Sequence, residues 1–290
     1  MRSTIALGVV LLTFAGCASS PATAPALTTT EVDPAVPQME RLTLSETLQA
    51  GVPVEIDNPY GNVGLRFGGY AHRVEVQAVR QEPAEVEAIR IEPQTADGRW
   101  LLAPRLPAGT LIAEGQRLDV VVFVPDGHAV TVVTERGAVD ARGLHSDLTI
   151  RSTAGELAIR GTKGTVNAQT GSGQIEIALG QAPVGSVQRL STKTGNIIVG
   201  VDDGLNADVA LSTSGVFATE YSLQVEHMQG QEPNKQAIAT VGTAAARVEL
   251  SSARGEIRLL RRASYTPAVA VGVGDKSFEG EKEMKRAQAP

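Results

Sequence analysis

Aromatic residues are scarce in this chain, and their scarcity limits the kind of core it can build. Phe, Trp and Tyr make up 3% of the 290 residues, whereas hydrophobic residues as a class reach 42% and charged residues 20%. This balance is typical of a folded globular protein with one large or two modest domains. The core must be built mostly from Val, Ile, Leu and Ala, and together with 30 glycines this favours thin, repetitive β-structure.

The chain also lacks an excess of positive charge. Its formal net charge is -6 and its isoelectric point is about 5.4. Non-specific binding to nucleic acids requires a basic surface that displaces counterions. We therefore expect no nucleic-acid partner.

Cysteine is limited to Cys17, which excludes an intramolecular disulfide and a cysteine-based zinc cluster. Arg2 gives the chain a positive start, an apolar stretch follows at residues 5–15, and small residues precede Cys17. The apolar stretch is shorter than the roughly 20 residues that a membrane-spanning helix needs. Its order of charge, apolar core and small residues is that of an export signal.

The segment Phe14-Ala15-Gly16-Cys17 resembles the lipobox of bacterial lipoproteins, although Phe14 stands where leucine is usual. The resemblance implies a signal peptide at residues 1–16 and lipidation of Cys17 by acyl chains such as palmitate, which would anchor the protein to a membrane. Ala18 after the cysteine is similar to the pattern of lipoproteins sent to the outer membrane. The alternative is an ordinary secretory signal in which Cys17 is merely a small residue.

The regions at both ends of the mature chain lack apolar periodicity. Residues 17–40 are rich in Ala, Pro, Thr and Ser and are predicted to form a flexible tether. Residues 263–290 mix charges without a face and are predicted to be a disordered tail, with a short solvated helix as the alternative.

Most segments between these ends alternate apolar and polar residues, as half-buried strands do. In the N-terminal β-rich portion, residues 41–128, the predicted strands are VPVEID (52–57), NVGLRF (62–67), RVEVQAV (73–79), EVEAIRIE (85–92), WLLA (100–103) and LDVVVFV (118–124). None has the periodicity of a helix. The fold class is therefore all-β.

A repeat of 18 to 22 residues runs through the second portion, residues 129–262. Its markers are glycines, each preceded by a hydroxyl residue three positions earlier and followed by inward-facing residues two and four positions later. The glycines are Gly137, Gly155, Gly173, Gly195, Gly215 and Gly255. The hydroxyl residues are Thr134, Ser152, Thr170, Thr192, Ser212 and Ser252. An irregular segment at residues 221–236 separates the last two copies and leaves the position of the final copy open.

Units of this length cannot bury their own apolar faces, so they must stack on one another. We expect a β-solenoid in which Val139, Leu157, Ile175 and Ile197 form one interior row. Glycine allows a tight corner between the two strands of a unit, and the hydroxyl bonds to the corner backbone. A meander of hairpins gives the same period, but the Asn-Gly and Asp-Gly turns of short hairpins are missing.

Residues 50–262 resemble a bacterial β-strand-repeat family labelled "putative adhesin", which is related to the head domains of auto-transporter adhesins. The resemblance is in VEIDNPYGNVGLRF, RVEVQA, RLDVVVFVPDG and TERGAVDARGLHSDLTIRSTAGELAIRG. It implies a β-solenoid-like fold and an exported or envelope location. It brings no catalytic residues.

Catalytic and metal-binding motifs are missing from the sequence. It contains no nucleophile elbow, phosphate-binding loop or dinucleotide fingerprint. The densest acidic group, Asp202, Asp203 and Asp208, is interpreted as a turn, with an acid–base pair or a weak calcium site as alternatives. The four histidines are predicted to be solvated loop residues, and we expect no cofactor and no metal.

Four arginines concentrate positive charge near the last predicted strand: Arg254, Arg258, Arg261 and Arg262. We interpret them as protection of a terminal sheet edge, with a binding patch as the alternative.

We expect a non-enzymatic, lipid-anchored protein of the outer membrane, facing the periplasm or the surface, that presents its β-repeat domain for binding or scaffolding. Its expected partners are the membrane, through Cys17, and an envelope or surface macromolecule, either protein or glycan. The alternatives are a carbohydrate-active enzyme on a β-helix and a periplasmic accessory or sensing domain.

Overall fold

The computed structural model describes residues 38–68 and 72–267, and the regular structure within them is entirely β. In chain order the strands are β1 (Gln38–Thr47), β2 (Val54–Asp57), β3 (Val63–Phe67), β4 (Arg73–Glu82), β5 (Gln94–Ala96), β6 (Arg99–Leu102), β7 (Arg117–Val124), β8 (Val130–Thr134), β9 (Val139–Arg142), β10 (Leu148–Ala154), β11 (Leu157–Arg160), β12 (Val166–Ser172), β13 (Ile175–Leu179), β14 (Val187–Thr192), β15 (Ile197–Val201), β16 (Ala207–Thr213), β17 (Phe217–Thr219), β18 (Gln224–His227), β19 (Lys235–Val241), β20 (Ala246–Ser252) and β21 (Ile257–Arg261). None of the described residues forms a helix that could span a membrane.

The strands form two sheets that enclose a common core. The first sheet has the order β1-β4-β7-β3-β9-β11-β13-β15-β21-β17, and the second has the order β18-β19-β16-β20-β14-β12-β10-β8-β2-β6-β5. Pairing is parallel through the middle of both sheets, whereas β1, β4, β5, β18 and β19 pair antiparallel at the ends. All the described residues belong to one compact unit.

Each rung of the stack contains one strand from each sheet. In spatial order, the first rung is β6 with β7 and the second is β2 with β3. Four regular rungs follow: β8 with β9, β10 with β11, β12 with β13, and β14 with β15. The chain therefore coils as the predicted β-solenoid does, and strands of both predicted portions, 41–128 and 129–262, lie in the same two sheets.

The interior rows confirm the predicted stacking. Leu157 is in register with Val139 on one side and with Ile175 on the other, and Ile175 is in register with Ile197. All four side chains are at most 1% exposed. At about 25 cal/mol per Å² of apolar surface, these contacts between neighbouring rungs supply the core that a single unit lacks.

The last two rungs do not follow chain order. The rung of β20 and β21 stacks directly on the rung of β14 and β15, because β20 pairs with β14 and β21 pairs with β15. The rung of β16 and β17 comes earlier in the chain but stacks on the outer side of β20 and β21. The inward residues of β21, Ile257 and Leu259, are fully buried, whereas Phe217 and Thr219 of β17 are only partly buried. The more apolar rung occupies the interior, and the less apolar one occupies the end of the stack.

One predicted strand is wrong. Residues 85–92 alternate in sequence, but they form a turn followed by an isolated bridge between Arg90 and Arg105. β4 ends at Glu82, and the chain turns at Glu85, which has a positive φ of 67°, where the predicted strand would begin. Ile89 of this segment is buried in the core, and Ile91 is partly buried against it.

The described structure extends past both predicted boundaries of the β-rich region. β1 begins at Gln38, within the segment predicted to be a tether, and Tyr265 is 5% exposed within the segment predicted to be a tail. Residues 268–290 and the segment that contains Cys17 lie outside the described residues.

Candidate functional site

The six repeat glycines line one corner of the solenoid. A Cβ built on Gly195 would lie 1.7 Å from the carbonyl oxygen of Gly173, and a Cβ on Gly255 would lie 1.9 Å from that of Gly195. The column also includes Gly137 and Gly155, and ends with Gly215 against Gly255. Neighbouring rungs therefore touch through their backbones at this corner, which leaves no room for a side chain.

The column extends one rung further than the sequence pattern predicted. A Cβ on Gly137 would lie 1.8 Å from the carbonyl oxygen of Gly61. Gly61 is followed by Val63 and Leu65 at the same spacing of two and four residues, but the residue three positions before it is Asn58 rather than a hydroxyl residue. Accepting asparagine at that position would have identified Gly61 from sequence.

Thr192 and Ser252 hydrogen-bond to the corner backbone as expected. Thr192 accepts a hydrogen bond from the amide of Gly195 at 3.0 Å and donates one to the carbonyl of Gly173 at 3.3 Å. Ser252 makes the equivalent pair with Gly255 and Gly195, both at 2.8 Å. Thr192 and Ser252 thus each link their own rung to the neighbouring one, whereas the Ser152 hydroxyl is buried with no hydrogen-bond partner among the described residues.

Ser212 is not the corner residue of its rung, contrary to the sequence pattern. Thr213 is in register with Ser252, is fully buried, and accepts from the amide of Gly215 at 2.8 Å while donating to the carbonyl of Gly255 at 2.6 Å. The spacing between hydroxyl and glycine is two residues in this copy, and Ser212 faces outward instead.

The outer face of the second sheet presents polar side chains in two rows at right angles to the strands. Registered neighbours in one row are Thr131, Thr149, Asn167, Arg189 and Glu249, and in the next are Arg151, Gln169, Ser191, Ser251 and Ser212. Successive members come from neighbouring strands, which lie about 4.8 Å apart. The result is a regular surface of hydroxyl, amide and charged groups.

A groove of about 290 Å³ opens in this face near its end, where it crosses β18, β19, β16 and β20. Small outward residues, Ala210 and Ser212, form its floor. The outward side chains around them are Gln224, Glu226, Gln236, Ile238, Arg247, Glu249 and Ser251. We call this the β18–β20 groove.

The outer face of the first sheet is instead closed by an ionic network. Asp140 is 4% exposed and lies 2.9 Å from the guanidinium groups of both Arg66 and Arg142. The Tyr265 hydroxyl donates to the buried carboxylate of Glu176 at 2.6 Å. Burial, followed by this hydrogen bond, raises the pKa of Tyr265 well above its ordinary value.

One histidine that was predicted to be solvated, His128, is buried, and it pairs with His72, which is exposed. His128 is fully buried, its Nδ1 lies 2.6 Å from the carbonyl oxygen of Val52, and its Nε2 lies 2.9 Å from Nδ1 of His72. A carbonyl only accepts, so Nδ1 of His128 donates and its Nε2 accepts from His72. The prediction failed because 56 residues separate the partners.

The three aspartates considered as an acidic site do not lie on one surface. Asp202 follows β15 of the first sheet and pairs with Arg262 at 3.2 Å, whereas Asp208 belongs to β16 of the second sheet and accepts from Thr240 at 2.8 Å. Asp203 lies in the intervening turn, as the turn interpretation expects. Within residues 38–68 and 72–267, no group of three His, Cys, Asp or Glu side chains could hold a metal ion.

The clustered arginines do not protect a sheet edge, because β21 lies between β15 and β17. Three of them make ion pairs: Arg254 with Glu232, Arg258 with Glu256, and Arg262 with Asp202. The guanidinium of Arg261 lies 5.1 Å from the ring centroid of Tyr221.

Comparison with known proteins identifies the family of this chain. Two solved structures are similar: a putative cell adhesion protein from Clostridium sporogenes (13% identity, TM-score 0.44, covering 78% of this chain and 99% of that one) and a putative adhesin from Bacteroides fragilis (13%, 0.39, 77% and 97%). No curated protein matches the chain at a significant level. The profile of the Toastrack DUF4097 family matches residues 83–260. Because this match covers more than half of the sequence, the chain belongs to the Toastrack DUF4097 family.

Proposed function

We propose that the protein is a non-enzymatic, lipid-anchored envelope protein that uses the outer face of the second sheet to bind a macromolecule of the envelope or cell surface. The observation that supports this role is the pair of registered polar rows, because they offer repeated hydrogen-bonding groups over several rungs. The outer face of the first sheet offers no comparable set of free groups around Asp140, Glu176 and Tyr265, because these side chains are buried in ion pairs and hydrogen bonds within the protein.

A carbohydrate-active enzyme on a β-helix receives no support from the acidic residues that suggested it. Glycoside hydrolysis needs two carboxylates on opposite sides of one bond. Asp202 and Asp208 are attached to different sheets, and each already has a partner. A binding role accounts for the regular polar face without requiring a catalytic pair.

The anchor and its location are tested in intact cells. Metabolic labelling with a fatty acid should mark the native protein and leave Cys17→Ser unlabelled, and the native protein should fractionate with the outer membrane. Protease treatment of whole cells then distinguishes a surface-facing domain, which is digested, from a periplasmic one, which is protected. Equal labelling of both forms would refute the anchor.

Binding is tested with the purified full chain and envelope preparations from cells that lack it. The native chain should be retained, and a double variant of the polar rows, Asn167→Ala with Gln169→Ala, should be retained less. Both side chains are exposed and point away from the core, so the variant should fold normally. Retention that is absent, or unaffected by this variant, would refute a binding role for this face.

A further inference from the structure

The β18–β20 groove has the properties of a sugar site, and we infer that it binds a short, uncharged oligosaccharide. This inference rests on the proposed binding role of the second sheet and names the ligand class and the site. It depends on the backbone, the hydrogen-bonding groups, the charge and the size of the groove.

The backbone of the groove floor is already fully used. β16 pairs with β20 on one side and with β19 on the other, and β20 pairs with β14 and β16. An extended peptide could add by main-chain hydrogen bonds only along the outer edge of β18, the terminal strand of this sheet, and not over the groove floor. The ligand must be recognised by outward side chains.

Those side chains match hydroxyl groups. Ser251, Ser212, Gln236 and Glu226 lie side by side in one registered row, and Gln224 ends the neighbouring row. Amides and hydroxyls both donate and accept hydrogen bonds, as sugar hydroxyls do. Planar, exposed amides on two adjacent strands can therefore bond to neighbouring hydroxyls of one ring.

An apolar surface lies in the same groove. Ile238 is 55% exposed and stands next to Ala210 in the register between β19 and β16. Small-molecule sites combine such apolar area with a few polar groups that fix the orientation. The C–H face of a pyranose ring can rest on Ile238 and Ala210 while its hydroxyls reach the polar row.

The charge of the groove disfavours anionic ligands. Glu249 lies 2.9 Å from Arg247, which lines the groove, and 3.1 Å from Arg189, which does not, so the charges of the lining pair Arg247 and Glu249 cancel. Glu226 adds a further negative charge on β18. Phosphates, uronic acids and sulfated sugars would meet this carboxylate, whereas an uncharged sugar would donate hydrogen bonds to it.

The volume limits the length of ligand that the groove can enclose. At about 290 Å³ it lies at the lower end of the range for small-molecule sites, which suits one or two sugar rings. The remainder of a longer glycan would extend across the polar rows of the second sheet, where exposed Asn167 and Gln169 continue the surface.

The experiment measures binding of cellotetraose and of the tetramer of N-acetylglucosamine to the purified full chain, by saturation-transfer NMR and calorimetry. A heparin-derived tetrasaccharide serves as the anionic probe. At least one neutral probe should bind, and the anionic probe should bind about tenfold more weakly or not at all.

Ala210→Trp should fill the groove from its outward face and weaken binding of the neutral probe by about tenfold or more, with unchanged circular dichroism. Leu111→Trp is the matched control, since Leu111 is 88% exposed in the loop between β6 and β7 and lies outside both the groove and the polar rows, and it should change affinity less than about twofold. Gln224→Ala with Glu226→Ala provides a second test on the exposed strand β18, without filling the groove, and should also weaken binding.

Failure to bind either neutral probe, stronger binding of the anionic probe, or equal binding by native protein and Ala210→Trp would overturn the inference. The envelope-retention assay separates this failure from failure of the proposed function. Retention that survives Ala210→Trp but is reduced by the Asn167 and Gln169 variant would preserve the binding face and reject the sugar groove. If the native protein shows neither envelope retention nor sugar binding, both the proposed function and the sugar groove are rejected.

Discussion

Replacing Gly195 by alanine tests whether backbone contact at the glycine corner sets the spacing of the rungs. The new Cβ would lie 1.7 Å from the carbonyl oxygen of Gly173 and 2.4 Å from its carbon. Neither atom belongs to a flexible side chain that could move aside. To restore a tolerable contact near 3 Å, the two rungs must separate locally by about 1.3 Å.

The cost follows from the hydrogen bonds that cross this corner. Thr192 joins the two glycines through bonds of 3.0 and 3.3 Å, and the amide of Lys193 donates to the carbonyl of Gly171 at 3.3 Å. A separation of about 1.3 Å breaks at least two of them, and leaving buried polar groups unpaired costs about 1–3 kcal/mol each. We expect Gly195→Ala to lower the free energy of unfolding by about 3 kcal/mol.

The matched control is Gly109→Ala. Gly109 has a backbone conformation that favours glycine, with φ of +83°, but a Cβ added there would have no atom within 4 Å. Its substitution should cost only the backbone strain, about 1 kcal/mol. Guanidinium denaturation followed by circular dichroism and by Trp100 fluorescence compares the two variants, and hydrogen exchange of the Lys193 amide reports the local opening.

The result that would refute this reasoning is a loss in Gly195→Ala no larger than that in Gly109→Ala, with normal protection of the Lys193 amide. The corner would then tolerate a side chain. The repeat of glycine would need another explanation, such as the solubility or folding rate of the chain.

Three further predictions concern the parts of the fold that the sequence pattern missed. In equilibrium unfolding, Thr213→Val should cost about 2 kcal/mol, because it removes both hydrogen bonds of a buried hydroxyl, whereas Ser212→Ala should change stability by less than about 0.5 kcal/mol. His128→Ala should cost about 3 kcal/mol in the same assay, since it removes a buried ring and two hydrogen bonds, and an unchanged midpoint would contradict the pairing. The raised pKa of Tyr265 means that the folded state holds the phenol proton more tightly, so its stabilising contribution is complete below about pH 10 and is lost as the pH rises toward the pKa of the folded state. Tyr265→Phe should reduce this alkaline loss of stability, measured by denaturation at pH 8 to 11. A loss that is the same in the variant would contradict the prediction.

Local pattern was sufficient to predict the coiled architecture. The period of two places Leu157 and Ile159 on one face of β11, and the glycine two residues earlier places the corner, so each unit is defined by residues close together in the chain. Stacking then follows because the unit cannot bury that face alone. The alternation at residues 85–92 misled the same reasoning, since a positive φ at Glu85 overrides a pattern that is otherwise typical of a strand.

The candidate groove could not be predicted in this way. Its floor comes from β16 and its walls from β18, β19 and β20. The chain reverses direction to bring β19 and β18 beside β16, whereas β20 pairs with β16 in parallel. The sequence offered one signal: residues 221–236 depart from the repeat, and they include β18 and the first residues of β19. The irregular segment indicated where the groove lies but not its shape.

The sequence by itself determined the all-β class, the corner glycines and the interior rows, because each depends on residues a few positions apart and on the need of a thin unit for a neighbour. Only the tertiary structure decided that the rung of Gly255 lies inside that of Gly215, that His72 meets His128, and that a groove opens beside Ala210. These features depend on which of several similar surfaces pack together. That choice is made by the free energy of the whole assembly, since strands of equal local preference compete for the same position in the stack.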